Sequence, residues 1–216
     1  MNPITRLSAP ALALAAVLAG TAAAQDSRLD RLAPEARALV PPIIDSARAA
    51  GLPTEPLVNR ALEGASKGAP APIIAAAVRR LAGDLGRARE ALGPDAGAAD
   101  LAAAADALRA GASTAALRRV RDALGPRRLA VPLGVTADLT ARGVPADSAA
   151  TLVIGLARSA ADAQLLALQR EVERDIALGA SPLAAASGRF AAADVESPTS
   201  VSGPSTTPSP PVRRKP

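Results

Sequence analysis

Residues 68–92 read GAPAPIIAAAVRRLAGDLGRAREAL, and within them Ile74, Val78, Leu81, Leu85, Ala88 and Leu92 recur at helical intervals. Side chains three and four positions apart share one side of an α-helix, so the stretch predicts a long helix with one apolar seam. It opens on Gly68-Ala69-Pro70. Glycine suits the left-handed residue just past a helix C-terminus, and proline suits the first turn of the next helix. The junction and the seam together predict a helix that follows another helix through a tight turn.

The same grammar extends in both directions. Gly51-Leu52-Pro53, Gly143-Val144-Pro145 and Gly179-Ala180-Ser181-Pro182 repeat the junction, and Gly111-Ala112-Ser113 is a variant in which Ser113 caps the following helix. Apolar residues keep helical spacing at Leu101, Ala105 and Leu108, at Leu117, Val120 and Leu124, and at Leu165, Leu168, Val172 and Ile176. No segment alternates as a half-buried strand does. The pattern predicts an all-α protein of about eight helices, near 34–50, 54–64, 71–92, 98–110, 114–124, 131–142, 146–159 and 161–178. The short links predict αα-hairpins, arranged as an irregular bundle or a small helical array. The segments from Gly51 and Gly143 are loosely alike, as in a degenerate repeat.

Both ends differ from this middle. Arg6, the apolar run Ala9–Gly20 and Ala22-Ala23-Ala24 before Gln25 have the order of a secretory signal peptide. The expectation is a signal at 1–24, cleaved after Ala24, and a periplasmic or secreted protein of a bacterium that is not transmembrane afterwards. The helical domain is expected over 25–190. From about Ala191 the chain turns towards a Ser/Thr/Pro-rich composition ending Arg213-Arg214-Lys215-Pro216, which predicts a disordered tail over 191–216.

Composition removes whole classes of chemistry. The 216 residues contain no His, Cys, Trp or Tyr, and Phe190 is the one aromatic ring. Imidazole and thiol catalysis, His/Cys zinc ligation and disulfides are thereby excluded. Stacking of bases or sugars on aromatic platforms loses its support, so no specific nucleic-acid binding is expected. Lys and Arg total 25 against 20 Asp and Glu. Arg6, Arg213, Arg214 and Lys215 lie in the two ends, which leaves the body close to neutral. The sequence pI near 11.0 reflects arginine without titrating neighbours, not a basic surface.

Two clusters remain as candidate sites. Arg118, Arg119, Arg121, Arg127 and Arg128 straddle the Gly125-Pro126 turn. Converging on one rim, their guanidinium forks would take a carboxylate, a phosphate or an acidic partner; otherwise they are a solvated charged face. Ser66, Lys67 and Gly68 form the weaker candidate. Their backbone amides would hold an anion beside the next helix N-terminus, or they are simply a turn whose lysine complements a helix C-terminus. Glu171, Glu173 and Asp175 interleave with Arg170 and Arg174, and helical spacing predicts Arg170–Glu173 and Glu171–Arg174 pairs. Asp95 and Asp100 lack the dense oxygen spacing of a calcium loop. No catalytic, metal-binding or cofactor-binding residue is assigned. The expected function is a non-enzymatic interaction or scaffold module of the cell envelope, contacting a protein or an anionic component. The alternative is a periplasmic carrier of a small apolar or amphipathic ligand held between helices.

Overall fold

The computed structural model describes residues 27–125 and 129–196, and among them the protein is all-α. The expected signal peptide with its cleavage bond, Arg127, Arg128 and Ser197–Pro216 lie outside the described residues. The helices are α1 (Pro34–Leu39), α2 (Pro41–Ala49), α3 (Glu55–Ser66), α4 (Ala71–Leu92) and α5 (Ala98–Ala110). They continue with α6 (Thr114–Leu124), α7 (Ala130–Ala141), α8 (Ala146–Ala157), α9 (Asp162–Ala177) and α10 (Pro182–Glu196).

The glycine junctions close in the expected way. At Gly143 (φ +96°) the amide donates to the Thr140 carbonyl at 3.0 Å, and the Val144 amide reaches back to the Leu139 carbonyl at 3.0 Å. This pair of bonds satisfies the last carbonyls of α7, and Val144 folds under with 1% exposure. Pro145 then starts α8. The same double bond closes α5 at Gly111 and α9 at Gly179.

Three packed hairpins result, α3/α4, α7/α8 and α9/α10, while α5 packs on α4 and α7 and is joined to α6 by the Gly111 turn. Their packing has one-dimensional order. The first helices stack, α5 on α7 and α7 on α9. The second helices stack likewise, α4 on α6, α6 on α8 and α8 on α10. The α5–α7 contact is the most extensive, and α5 carries three fully buried alanines, Ala104, Ala105 and Ala107, whose small side chains suit close helix packing. α1, α2 and the turn before them close the first end, laying Leu29, Leu32, Ala36, Val40 and Ile44 onto the core around α4.

α4 has the seam read from its sequence: Ile74, Val78, Leu81, Leu85, Ala88 and Leu92 are all buried. α7 is apolar over most of its circumference, with Asp138 as its exposed charged side chain. Leu133 and Ala137 join the core built around α4 and α5, whereas Val135 and Leu139 join the core shared with α8, α9 and α10. A helix so largely apolar belongs in the interior, and α7 is where the two cores meet. Its buried Thr136 is satisfied by donating to the Pro132 carbonyl at 2.8 Å.

Two departures from the sequence reading have physical causes. The single helix expected over 34–50 is broken at Val40. Pro41 and Pro42 have no amide hydrogens, so two successive helical bonds are missing there, and Ile43 and Ile44 both restart from the Val40 carbonyl. The second departure is α10. Its helix runs to Glu196, past Ala191, where the sequence reading begins the tail. Its Ala, Gly and Ser residues carry a weak periodic signal, and tertiary packing decides its state through Ala185, Ala186 and Phe190.

Candidate functional site

The arginine cluster is divided by the helix that carries it. α6 packs against both α4 and α8, and its arginines serve those neighbours. Arg119 crosses to α8 and pairs with Asp147 at 2.7 Å. Arg121 turns the other way. Its Nη1 donates to the Ala91 carbonyl at 2.7 Å, in the last turn of α4, while Nε and Nη2 hold Asp122 at 2.9 and 2.7 Å. A guanidinium at a helix C-terminus meets both an unpaired carbonyl and the negative end of the helix dipole. Arg118 is exposed and has no ion pair among the described residues. Two of the three described members therefore bind helices together rather than face a common ligand.

The Ser66-Lys67-Gly68 junction is a closed turn. The Gly68 amide donates to the Ala65 carbonyl and the Ala69 amide to the Gly64 carbonyl, each at 3.0 Å. Ser66 Oγ donates to the Glu63 carbonyl at 2.8 Å. Beyond the turn, Pro72 has no amide hydrogen and the Ile73 and Ile74 amides bond to the Pro70 carbonyl. An anion would find few donors there, because the N–H groups that could form a nest are already engaged. Lys67 Nζ sits 2.6 Å from Glu63 Oε1, and Arg60 Nη1 lies 2.9 Å from Glu63 Oε2. These bonds, Lys67 first, hold the Glu63 carboxyl below the usual range.

What this corner does offer is apolar. A groove of about 180 Å³ is bordered by Arg60, Glu63, Lys67, Ile73, Ile74 and Ala77. Ile73 is 60% exposed, although it stands in the first turn of a helix whose next residue, Ile74, is buried. Leu39, Leu166, Leu178 and Leu183 are other large aliphatic side chains left in contact with solvent.

The acidic run on α9 pairs between helices, not along its own. Arg189 of α10 forks onto Asp175, Nε to Oδ2 at 2.6 Å and Nη2 to Oδ1 at 2.8 Å, and also reaches Glu171 Oε2 at 3.1 Å. Glu173 pairs with Arg142 at 2.8 Å. The Arg189 guanidinium lowers the Asp175 proton affinity, and the carboxylates in turn raise that of Arg189. The expected intrahelical pairs with Arg170 and Arg174 give way because α10 and the α7–α8 turn bring better-placed cations. Arg170 Nε instead donates to the Leu166 carbonyl at 3.0 Å.

Asp84 is a residue the sequence reading missed. It lies on α4 with 4% exposure and pairs with Arg87 at 2.6 Å. Its neighbours Gly83 and Gly86 are a visible oddity in the sequence, but nothing in the spacing marks the carboxylate as buried. Among the described residues, no group of three or more acidic side chains comes together as a metal-ion donor set. No helix there is long and apolar enough to cross a membrane.

Comparison with protein families, with characterised proteins and with solved structures finds no match. Among the described residues the protein is an all-α bundle of ten helices joined by short turns.

Proposed function

We propose that the protein is a non-catalytic interaction module of the bacterial cell envelope, delivered there by its N-terminal segment acting as a cleaved signal. The observation that carries the reading is exposed Ile73 at the α3–α4 junction, in a shallow groove edged by Arg60, Glu63 and Lys67. A large aliphatic side chain with a charged rim is the composition of a protein-contact site, where a small apolar centre is surrounded by polar groups. A stack of hairpins suits such work, because each unit adds surface without needing a cavity. Export is supported by the order of residues at the N-terminus, Arg6, the apolar run Ala9–Gly20 and Ala22-Ala23-Ala24 before Gln25.

The test is affinity capture with crosslinking, using tagged mature protein in its own envelope fraction. An unrelated exported protein and the Ile73→Asp variant run in parallel. The reading expects a protein partner enriched by the wild type and lost with Ile73→Asp, whose circular dichroism and melting temperature should match the wild type. Enrichment no greater than that of the unrelated control overturns it.

A further inference from the structure

We infer that α10 is a displaceable helix, opening as a unit from the rest of the stack about a hinge at Gly179–Ser181.

The hold on α10 is narrow. Among its described side chains, those that are buried are Ala185, Ala186 and Phe190. Alanine buries little area, so Phe190 supplies most of the apolar attachment. α4, by contrast, buries ten residues along its length. The polar hold is the Arg189 fork on Asp175 and Glu171, with the Arg189 side chain 40% exposed. Water and salt reach such a clasp, and both weaken it.

The interface beneath α10 is also incomplete. A groove of about 510 Å³ opens between α9 and α10, with Leu156, Leu168, Glu171, Arg189 and Ala192 along it. The helix itself is a poor one without its neighbours. Gly188 sits in its middle, and a Cβ placed there would meet no atom within 4 Å, so packing does not require glycine. The residue lowers helix propensity with no gain in fit. At the other end, Gly179 has φ +101° and open space around it, and Ala180 and Ser181 are exposed. Turning there gives up the Gly179 and Ala180 amide bonds to the Ile176 and Asp175 carbonyls, which exposed positions can exchange for water, and moves no buried side chain of the three.

Opening would uncover Val153 and Leu156 of α8 and Leu165, Leu168 and Val172 of α9, which share a core with Phe190. The device is a clasped apolar strip, closed by one ring and one guanidinium. Local opening of this kind draws on the least stable part of a fold while the rest stays intact.

Native-state hydrogen exchange of the mature chain, read by mass spectrometry, tests it. Amides of 185–193 should exchange through an opening of their own, at least tenfold less protected than those of α4 and α7. Raising the salt concentration should narrow their protection further and leave α4 unchanged. Arg189→Met should speed α10 exchange roughly three- to tenfold. Gly188→Ala, which raises helix propensity without touching a neighbour, should slow it by up to about fivefold. The inference is overturned if α10 shares the protection of α4 and α7, or if both variants shift every helix alike.

Discussion

A Cβ added to Gly64 would lie 2.9 Å from Ile74 Cγ1, closer than real side chains tolerate. Gly64 is therefore the point where α3 and α4 touch backbone to side chain, one turn before their junction. Ile74 is buried and branched at Cβ, so it cannot swing aside cheaply. Gly64→Ala gains helix propensity, about 1 kcal/mol at most, and loses about 1–3 kcal/mol to overpacking. The expected net is a loss of stability in urea denaturation. Gly83→Ala provides the opposite sign, because nothing lies within 4 Å of its added methyl and the site is exposed on α4. That variant should gain up to about 1 kcal/mol. The same substitution thus changes sign between two helical glycines, according to what stands opposite.

Arg121 and Arg118 lie one helical turn apart on α6 and should behave differently. Arg121→Met removes the donor to the Ala91 carbonyl and should cost about 0.5–1.5 kcal/mol, seen as an earlier thermal transition. Arg118→Met removes an exposed cation with no ion pair among the described residues, and should stay within about 0.5 kcal/mol of wild type. Equal losses from both would mean that the cluster acts as one electrostatic unit.

Stability should fall with acid and little else near neutrality. The Asp175 and Glu63 carboxyls are both held below their ordinary proton affinity, by Arg189 and by Lys67 with Arg60 respectively. A carboxyl depressed in the folded state binds protons more readily when unfolded, so its stabilisation is present above about pH 4 and fades as pH drops through the folded value. With no histidine or cysteine, no side chain has an ordinary proton affinity between the carboxylates and the amines. Melting temperatures should be nearly level from about pH 6 to 8 and decline below about pH 4. Asp175→Asn should lower the plateau and shrink the acid-dependent part. A decline that is as steep in Asp175→Asn as in wild type would remove Asp175 from the account.

The junctions were legible because glycine and proline act locally. A left-handed glycine with a proline shortly after it specifies a helix end whatever the rest of the chain does, and Gly51, Gly68, Gly143 and Gly179 all obeyed. The seam of α4 was equally plain. The break at Val40 was written in Pro41-Pro42, but the apolar spacing on either side hid it. α10 was not legible, since its state depends on Phe190 finding a core that α8 and α9 build. The candidate sites fared differently for a related reason. Adjacent arginines on a helix point in different directions, so proximity in sequence does not make a site. Arg119 and Arg121 were recruited by α8 and α4, partners that are remote in the chain. Arg189 drew no notice in the sequence, yet it clasps the last hairpin.

The alanine content is read most directly on α5. Ala104 of α5 is fully buried, whereas Ala102 is half-buried beside a groove of about 340 Å³ that also borders Asn59, Leu81 and Arg109. If the alanines are there only through composition, enlarging either should cost little. If they set the distance between the helices, the two positions must differ. Ala104→Leu has nowhere to place its added isopropyl group without pushing α5 away from a packed neighbour, so it should lose about 1–3 kcal/mol or more. Ala102→Leu can lay its side chain into the groove and should change stability by less than about 0.5 kcal/mol. Urea titrations of the two variants decide between these readings, and a small, equal effect at both positions would show that the spacing of α5 from its neighbours is not held by alanine.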